Sequence, residues 1–393
     1  MNAFNLTSTL DEWDKKHLYR HRHILESHQG PVIQVDGKHY LNFCSNDYLG
    51  LASHPEVIAT FQQAANLYGV GGGASHLVVG HHRLHHELEE RLAEFTGRPS
   101  AVLFSSGYMA NMGVITALLG KKDAIFEDRL NHASLLDAGR LSGARFHRYL
   151  HCNVNNLQER LLETTARRKM IVTDGVFSMD GNCAPLTELV QLAKQNHAWL
   201  MVDDAHGLGV LGETGAGSTE ACQLSAEDVP VLMGTLGKAL GTMGAFVAGS
   251  KALTETLIQF ARTYMFTTAL PPAVAAATLT SLKLVAQQSW RREKLTALIT
   301  RFRKAAKASG LSLMPSLTAI QPLLTDKPEA AMAMHQALKS QGILVSAIRP
   351  PSVPTNACRL RITLSAAHTE AQVDRLIEAL IYAHHHVIQE EVL

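Results

Sequence analysis

The chain has 393 residues, 46% of them hydrophobic and 18% charged, with a formal net charge of +1. This length favours a large domain with at least one smaller one, and the balanced charge selects neither nucleic acid nor an anionic membrane surface as partner. No apolar stretch reaches membrane-spanning length and residues 1–16 lack a signal-type apolar core, so a cytoplasmic protein is predicted.

The predicted order is an N-terminal segment over 1–45, a large domain over 46–290 and a small C-terminal domain over 291–393. Gly69-Val70-Gly71-Gly72-Gly73-Ala74 looks like a dinucleotide loop, but no apolar strand precedes it and its G-x-G-x-x-G spacing closes on Ala74. A flexible, glycine-rich active-site wall explains the run as well. His76, His81, His82, His85 and His86 stand partly at helical spacing, yet Arg83, Glu87, Glu89 and Glu90 among them describe the charged opening of an amphipathic surface helix, so no metal is assigned. From about residue 100, short apolar runs alternate with amphipathic stretches, the pattern of βα units and a mostly parallel sheet. Strands are predicted over 101–104, 124–126, 146–150, 170–173, 200–203, 229–233 and 245–248, with helices over 157–168 and 186–196. Long helices over 253–265 and 272–309, the second opened by Pro271-Pro272, lead to an α+β layer. That layer has strands near 320–324, 343–348 and 359–363 and helices near 329–340 and 369–386. The cysteines Cys44, Cys152, Cys183, Cys222 and Cys358 form no C-x-x-C pair, which argues against a disulfide framework or a thiolate metal site.

Lys238 lies in Gly234-Thr235-Leu236-Gly237-Lys238-Ala239-Leu240-Gly241, boxed in by small residues after an apolar run. A second apolar run ends in Asp203-Asp204-Ala205-His206-Gly207. An amine and a carboxylate at neighbouring strand ends suit pyridoxal phosphate (PLP): the lysine can form a Schiff base with its aldehyde, and the aspartate can keep its ring nitrogen protonated. Spacing leaves open whether Asp203 or Asp204 faces the ring, and a turn capped by either aspartate is the alternative. The turn Ser105-Ser106-Gly107-Tyr108-Met109-Ala110-Asn111 offers helix-start amides to a phosphate, and Thr235 offers a hydroxyl. His132 follows a strand and can lie against an aromatic ring, the alternative being a helix capped by Asn131 with an idle histidine. Ser178 follows another strand and is a candidate donor to the cofactor's phenolic oxygen. Alternation puts Arg359 and Arg361 on one strand face, where an arginine fork can clamp a substrate carboxylate.

These motifs, together with Leu41-Asn42-Phe43-Cys44-Ser45-Asn46-Asp47-Tyr48-Leu49-Gly50-Leu51, Gly175-Val176-Phe177-Ser178-Met179-Asp180-Gly181 and Ile348-Arg349-Pro350-Pro351-Ser352-Val353-Pro354, carry a resemblance over nearly the whole chain. The sequence resembles the α-oxoamine synthase family of fold-type I PLP enzymes. The resemblance implies an α/β fold with a seven-stranded, mostly parallel sheet flanked by helices and a smaller C-terminal α+β domain. It implies Lys238 as the Schiff-base residue, Asp203 on the pyridine nitrogen, Ser178 and His206 on the phenolic oxygen, and His132 stacked on the ring. Gly107, Tyr108 and Thr235 would hold the phosphate, Asn46 and Arg361 the amino acid, and Arg20 and Ser352 would contact substrate. Sites would form at a homodimer interface, with Thr267 or Thr268 reaching the partner's phosphate. Residues 348–354 are similar to the branch that condenses L-alanine with pimeloyl-CoA or a pimeloyl-acyl carrier protein in biotin biosynthesis. The alternatives are a synthase using glycine or serine with another acyl-CoA, a fold-type I aminotransferase, and a non-catalytic binding subunit, against which Lys238 argues. Relatives often carry G-S-G-G-S-[GR]-x-x-S-G where this chain has residues 71–80, so Ala74, His76 and Val79 bear on acyl-chain details and leave the cofactor residues untouched.

Overall fold

The computed structural model describes residues 4–15, 18–325, 327–350, 353 and 357–391. The chain opens with α1 (Leu6–Lys15), a hairpin of β1 (Val32–Val35) and β2 (Lys38–Asn42), then α2 (Pro55–Tyr68) and α3 (Arg83–Phe95). Strand and helix then alternate through β3 (Ser100–Phe104), α4 (Gly107–Leu118), β4 (Ala124–Asp128), α5 (Ala133–Leu141), β5 (Arg145–Tyr149), α6 (Val154–Leu162), β6 (Lys169–Asp174), α7 (Leu186–Gln195), β7 (Ala198–Asp203), α8 (Ser218–Ala221), β8 (Val231–Thr235) and β9 (Ala245–Gly249). These strands form one seven-stranded sheet in the order β3-β9-β8-β7-β6-β4-β5, in which β9 alone runs against the others. The mostly parallel α/β sheet expected from the sequence is the fold.

A strand covered on both faces is apolar at successive positions. Ile171, Leu200, Val202 and Leu232 pack with Leu157 of α6 and Leu189 of α7, while Met170, Val172, Met201 and Met233 pack with Val114 of α4 and Leu135 of α5. Burying each such side chain contributes about 1.5–3 kcal/mol. The parallel strands end on one edge, which brings the loops after β3, β4, β6, β7 and β8 together.

The rest of the chain is α9 (Lys251–Phe260), α10 (Arg262–Met265), α11 (Pro272–Gln287), α12 (Trp290–Ala308), β10 (Ile320–Leu324), α13 (Pro328–Ser340), β11 (Ile343–Leu344), β12 (Ser346–Ile348), β13 (Arg359–Thr363) and α14 (Glu370–Glu391). The single strand expected over 343–348 divides at buried Val345: β11 pairs in parallel with β2, and β12 pairs antiparallel with β13. The helix expected over 272–309 breaks at Gln288, where φ −115° and ψ 61° end α11. Arg292 satisfies the break, donating from Nη1 to the Val285 carbonyl at 2.7 Å and from Nη2 to the Glu213 carbonyl at 2.9 Å. The helix expected over 253–265 parts at Ala261, with ψ 104°. That expected over 157–168 instead spans Val154–Leu162, because Asn153 caps it by accepting from the Asn156 amide at 2.9 Å. Among the described residues no helix is long and apolar enough to cross a membrane.

Arg359 is buried and bonds the Asp180 carboxylate, with side chains 5% and 12% exposed. It therefore pins the loop after β6 to β13 and is not free to join a substrate fork. Removing one member of a buried pair leaves the other charge uncompensated. Arg359→Ala is expected to cost about 3–5 kcal/mol in urea unfolding, and a loss below about 1 kcal/mol would contradict this role.

Candidate functional site

Ligands in open α/β sheets gather beyond the carboxyl ends of the strands, and Lys238 occupies the turn joining β8 to β9. Gly241 lets that turn close, with φ +66° and a position where a Cβ would lie 2.4 Å from the Ala52 amide nitrogen. Lys238 Nζ lies 2.9 Å from His206 Nε2, and His206 Nδ1 lies 2.7 Å from the Tyr48 hydroxyl. Tyr48 donates to Asn46 Oδ1 at 3.1 Å, and Arg361 Nη2 donates to the same oxygen at 3.1 Å. These partners assign the tautomer: Tyr48 gives its proton to Asn46, so His206 donates from Nδ1 and accepts from Lys238 at Nε2.

Burial lowers the Lys238 ammonium to about 8 although Asp203 and Asp174 oppose the shift, and Arg361 adds to it. Burial, then the charges of Lys238 and Arg361, hold His206 well below the ordinary imidazole value, and burial raises the Tyr48 phenol to about 12. Near neutral pH the chain therefore holds a neutral imidazole, an intact phenol and an amine that sheds its proton readily, as attack on a carbonyl requires.

The strand end separates the two aspartates. Asp203 Oδ2 accepts from Asn111 Nδ2 at 2.8 Å and its Oδ1 from the Ala205 amide at 3.0 Å. Asn111 also donates to Ser134 Oγ at 2.8 Å, which lies 2.7 Å from His132 Nδ1. Asp204 instead packs against Gly207 and Gly217 and accepts from the Ser218 amide at 2.6 Å, with burial raising its carboxyl to about 7. Asp174, beside Asp203 in the β6–β7 register, accepts from the His132 amide at 2.9 Å. Burial and then the Asp203 charge push its carboxyl well above the usual range. His132 itself caps α5, accepting from the Ser134 amide at 3.3 Å. Asn131, the residue considered for that cap, instead donates to the Val172 carbonyl at 2.9 Å and accepts from the Asp174 amide at 3.2 Å.

Gly107 and Tyr108 open α4, whose cap Ser106 accepts from the Met109 amide at 3.2 Å. Among the described residues the amides of Gly107 and Tyr108 have no acceptor, the arrangement that receives an anion at a helix start. The Tyr108 hydroxyl donates to Asp137 Oδ2 at 2.5 Å, and Thr235 Oγ1 donates to the Gly244 carbonyl at 3.1 Å. Ser105 Oγ donates to the Thr268 carbonyl of the same chain at 3.4 Å, beside half-buried Thr267. The Ser178 carbonyl accepts from Arg361 Nε at 2.6 Å. Arg20 is exposed on the N-terminal stretch, whose His23 and Leu25 line a cleft with Asn46 and Lys238. Ser352 lies outside the described residues.

A ligand with an aldehyde, a ring nitrogen and a phosphate would find here an amine, a carboxylate and helix-start amides without acceptors among the described residues, and Asn111 Oδ1 is buried without a partner. The residues fit PLP. Tyr48, Asn111 and Asp174 carry no role in the sequence reading. Asp174 ends an apolar strand as Asp203 does, a usable signal, whereas nothing local pairs Asn111 with Asp203. The histidine-rich stretch opens an amphipathic helix whose inner face holds fully buried His85, its Nε2 2.6 Å from the Leu270 carbonyl. The glycine run is tied down by Ala269, whose amide donates to the Ala74 carbonyl at 2.9 Å and whose carbonyl oxygen lies 2.3 Å from where a Gly72 Cβ would sit.

The model of the family "aminotransferase class I and II" matches residues 38–380. A relative from Cellvibrio japonicus (strain Ueda107), named 8-amino-7-oxononanoate synthase, is 62% identical over 375 residues, covering 95% of this chain and 94% of its own. The structure of 8-amino-7-oxononanoate synthase from Francisella tularensis is 31% identical with a TM-score of 0.78, over 90% of this chain and 99% of that one. A lysine-to-alanine variant of serine palmitoyltransferase from S. paucimobilis, with bound PLP–myriocin aldimine, is 31% identical with a TM-score of 0.92 over 98% of each chain.

His206 is expected to stay neutral, protonated at Nδ1, throughout pH 6–8 in ¹⁵N-histidine NMR, and a titration near the ordinary value of about 6.5 would contradict the site. The unfolded chain takes up that proton while the folded one does not, so this residue's contribution to stability is present above about pH 6.5 and falls away below it.

Proposed function

The chain belongs to the aminotransferase class I and II family, and we propose that it uses PLP to condense L-alanine with a pimeloyl thioester, on CoA or an acyl carrier protein. The reaction releases CO2 and free thiol and yields 8-amino-7-oxononanoate for biotin biosynthesis. The observation that carries this reading is the 62% identity, over 95% of the chain, to a synthase of that product. The unbroken hydrogen-bonded run from Lys238 to Arg361 supports it.

Bound in the cleft, PLP supplies an electron-accepting ring that stabilises charge on the α-carbon of the amino acid. Arg361 and Asn46 hold the alanine carboxylate, the guanidinium acting as a fork. Lys238 Nζ takes the α-proton while His206 Nε2 aims it. Asp203, oriented by Asn111, holds a proton on the ring nitrogen. His132 donates a hydrogen bond or proton to the thioester oxygen as charge gathers there, help worth ~10²- to 10⁴-fold. The amides of Gly107 and Tyr108, with Thr235, would hold the phosphate, Ser178 and His206 would lie toward the phenolic oxygen, and Arg20 would contact substrate.

The working form in this reading is a cytoplasmic homodimer, with Thr267 reaching the partner's phosphate. Val70, Val78, Val79 and Phe266 are strongly exposed around the Ser75–Thr268 bridge, an apolar patch suited to a second copy. In this reading a large domain runs through 290 and a small one from 291, one residue into α12 (Trp290–Ala308).

An aminotransferase reaction, the family model's own description, would form a keto acid with no thioester consumed. With alanine and pimeloyl-CoA, stoichiometric thiol and CO2 are expected, and keto acid without thiol would overturn the reading. Lys238→Ala should abolish turnover. Asp203→Asn should slow deuterium exchange at the alanine α-carbon by about 100-fold or more, and undiminished exchange would remove Asp203 from the role.

A further inference from the structure

We propose a divalent-cation site at the start of α3, apart from the lysine cleft, with His81, His86 and Glu89 as ligands and zinc as the ion that suits them. One ring nitrogen of each histidine and one Glu89 oxygen all lie within 4.8 Å of one another. His81 Nε2 and Glu89 Oε2 are 3.9 Å apart, too far for a direct hydrogen bond and close enough to share one ion with ligand bonds of about 2.0–2.2 Å.

Glu89 has an oxygen to offer such an ion. Its side chain is 14% exposed, its Oε1 accepts from the Leu103 amide at 2.9 Å, and its Oε2 accepts no hydrogen bond among the described residues. A carboxylate withdrawn from water is costly without a countercharge, and its one ion-pair contact among the described residues is this histidine at 3.9 Å.

His81 is already oriented as a ligand. Its Nδ1 lies 2.9 Å from His76 Nδ1, so one of the two rings donates to the other. With the proton on His81 Nδ1, its Nε2 keeps a lone pair on the Glu89 side. His76 is stacked on Tyr264, with centroids 5.0 Å apart and planes 10° apart, and so acts as the outer partner that fixes a metal-binding imidazole's tautomer. His86 is 66% exposed, with Glu90 Oε1 at 3.5 Å, and is free to turn. His85, though close, is not a ligand: its Nδ1 accepts from the His82 amide at 2.9 Å and its Nε2 lies 2.6 Å from the Leu270 carbonyl. Two imidazoles and one carboxylate leave a fourth tetrahedral position open to water.

The test uses the holoenzyme freed of metal with a chelator and titrated with zinc chloride alone. One ion per chain is expected to bind, and the double variant His81→Gln, His86→Gln should bind at least tenfold more weakly while keeping its zinc-free turnover. Zinc should also raise the melting temperature of the parent protein and not of the variant. No binding by the parent, or equal binding by parent and variant, overturns the site. These histidines lie outside the PLP cleft, so that result would leave the proposed reaction standing.

Discussion

The interaction on which the rest depends is the contact between the Lys238 amine and the His206 imidazole, 2.9 Å apart in an interior where neither carries charge cheaply. Burial biases both toward their neutral forms, and a neutral amine is what carbonyl chemistry uses. The contact is assembled from distant parts of the chain. Tyr48, which anchors the far nitrogen of His206, stands 158 residues away from it, and Asn46 and Arg361 are 315 apart. The run from Lys238 to Arg361 closes when the seven-stranded sheet, the N-terminal turn and β13 are docked together.

The same economy of charge governs the acids. Asp174 and Asp203 end adjacent strands, and two buried like charges so placed are unfavourable. Asp174 is pushed well above the usual carboxyl range by burial and its neighbour, which favours its protonated form, while Asn111 orients Asp203. Asp204, one residue on, serves the loop that follows by holding the Ser218 amide. The strand-end pleat, which turns successive side chains to opposite sides, makes this division of labour possible.

The main sheet was legible because strands covered on both faces are continuous apolar runs between amphipathic helices, and all seven were placed within a few residues. The hairpin of β1 and β2 was not, since strands of four and five residues are too short to show a clear period, and the strand expected over 343–348 divided because β11 pairs with β2, remote in sequence, while β12 pairs with β13. Helix ends shifted where one cap decided them, as Asn153 did for α6 and Arg292 did at the α11 break. Position at strand ends was enough to single out Lys238, His206 and His132 as candidates, together with the pair Asp203 and Asp204. Spacing left Asp203 and Asp204 open and the family resemblance implied Asp203, while Tyr48 and Asn111 escaped notice because their partners His206 and Asp203 are remote in sequence. Which histidine of α3 turns inward was not legible, because charged neighbours on a helix say nothing about a carbonyl 185 residues away.

Peptide mapping after borohydride reduction of the protein saturated with PLP tests the central claim most directly. The account predicts a single pyridoxyl group on Lys238, lost when the cofactor is removed before reduction. A pyridoxyl group on any other lysine, or none at all, would contradict it.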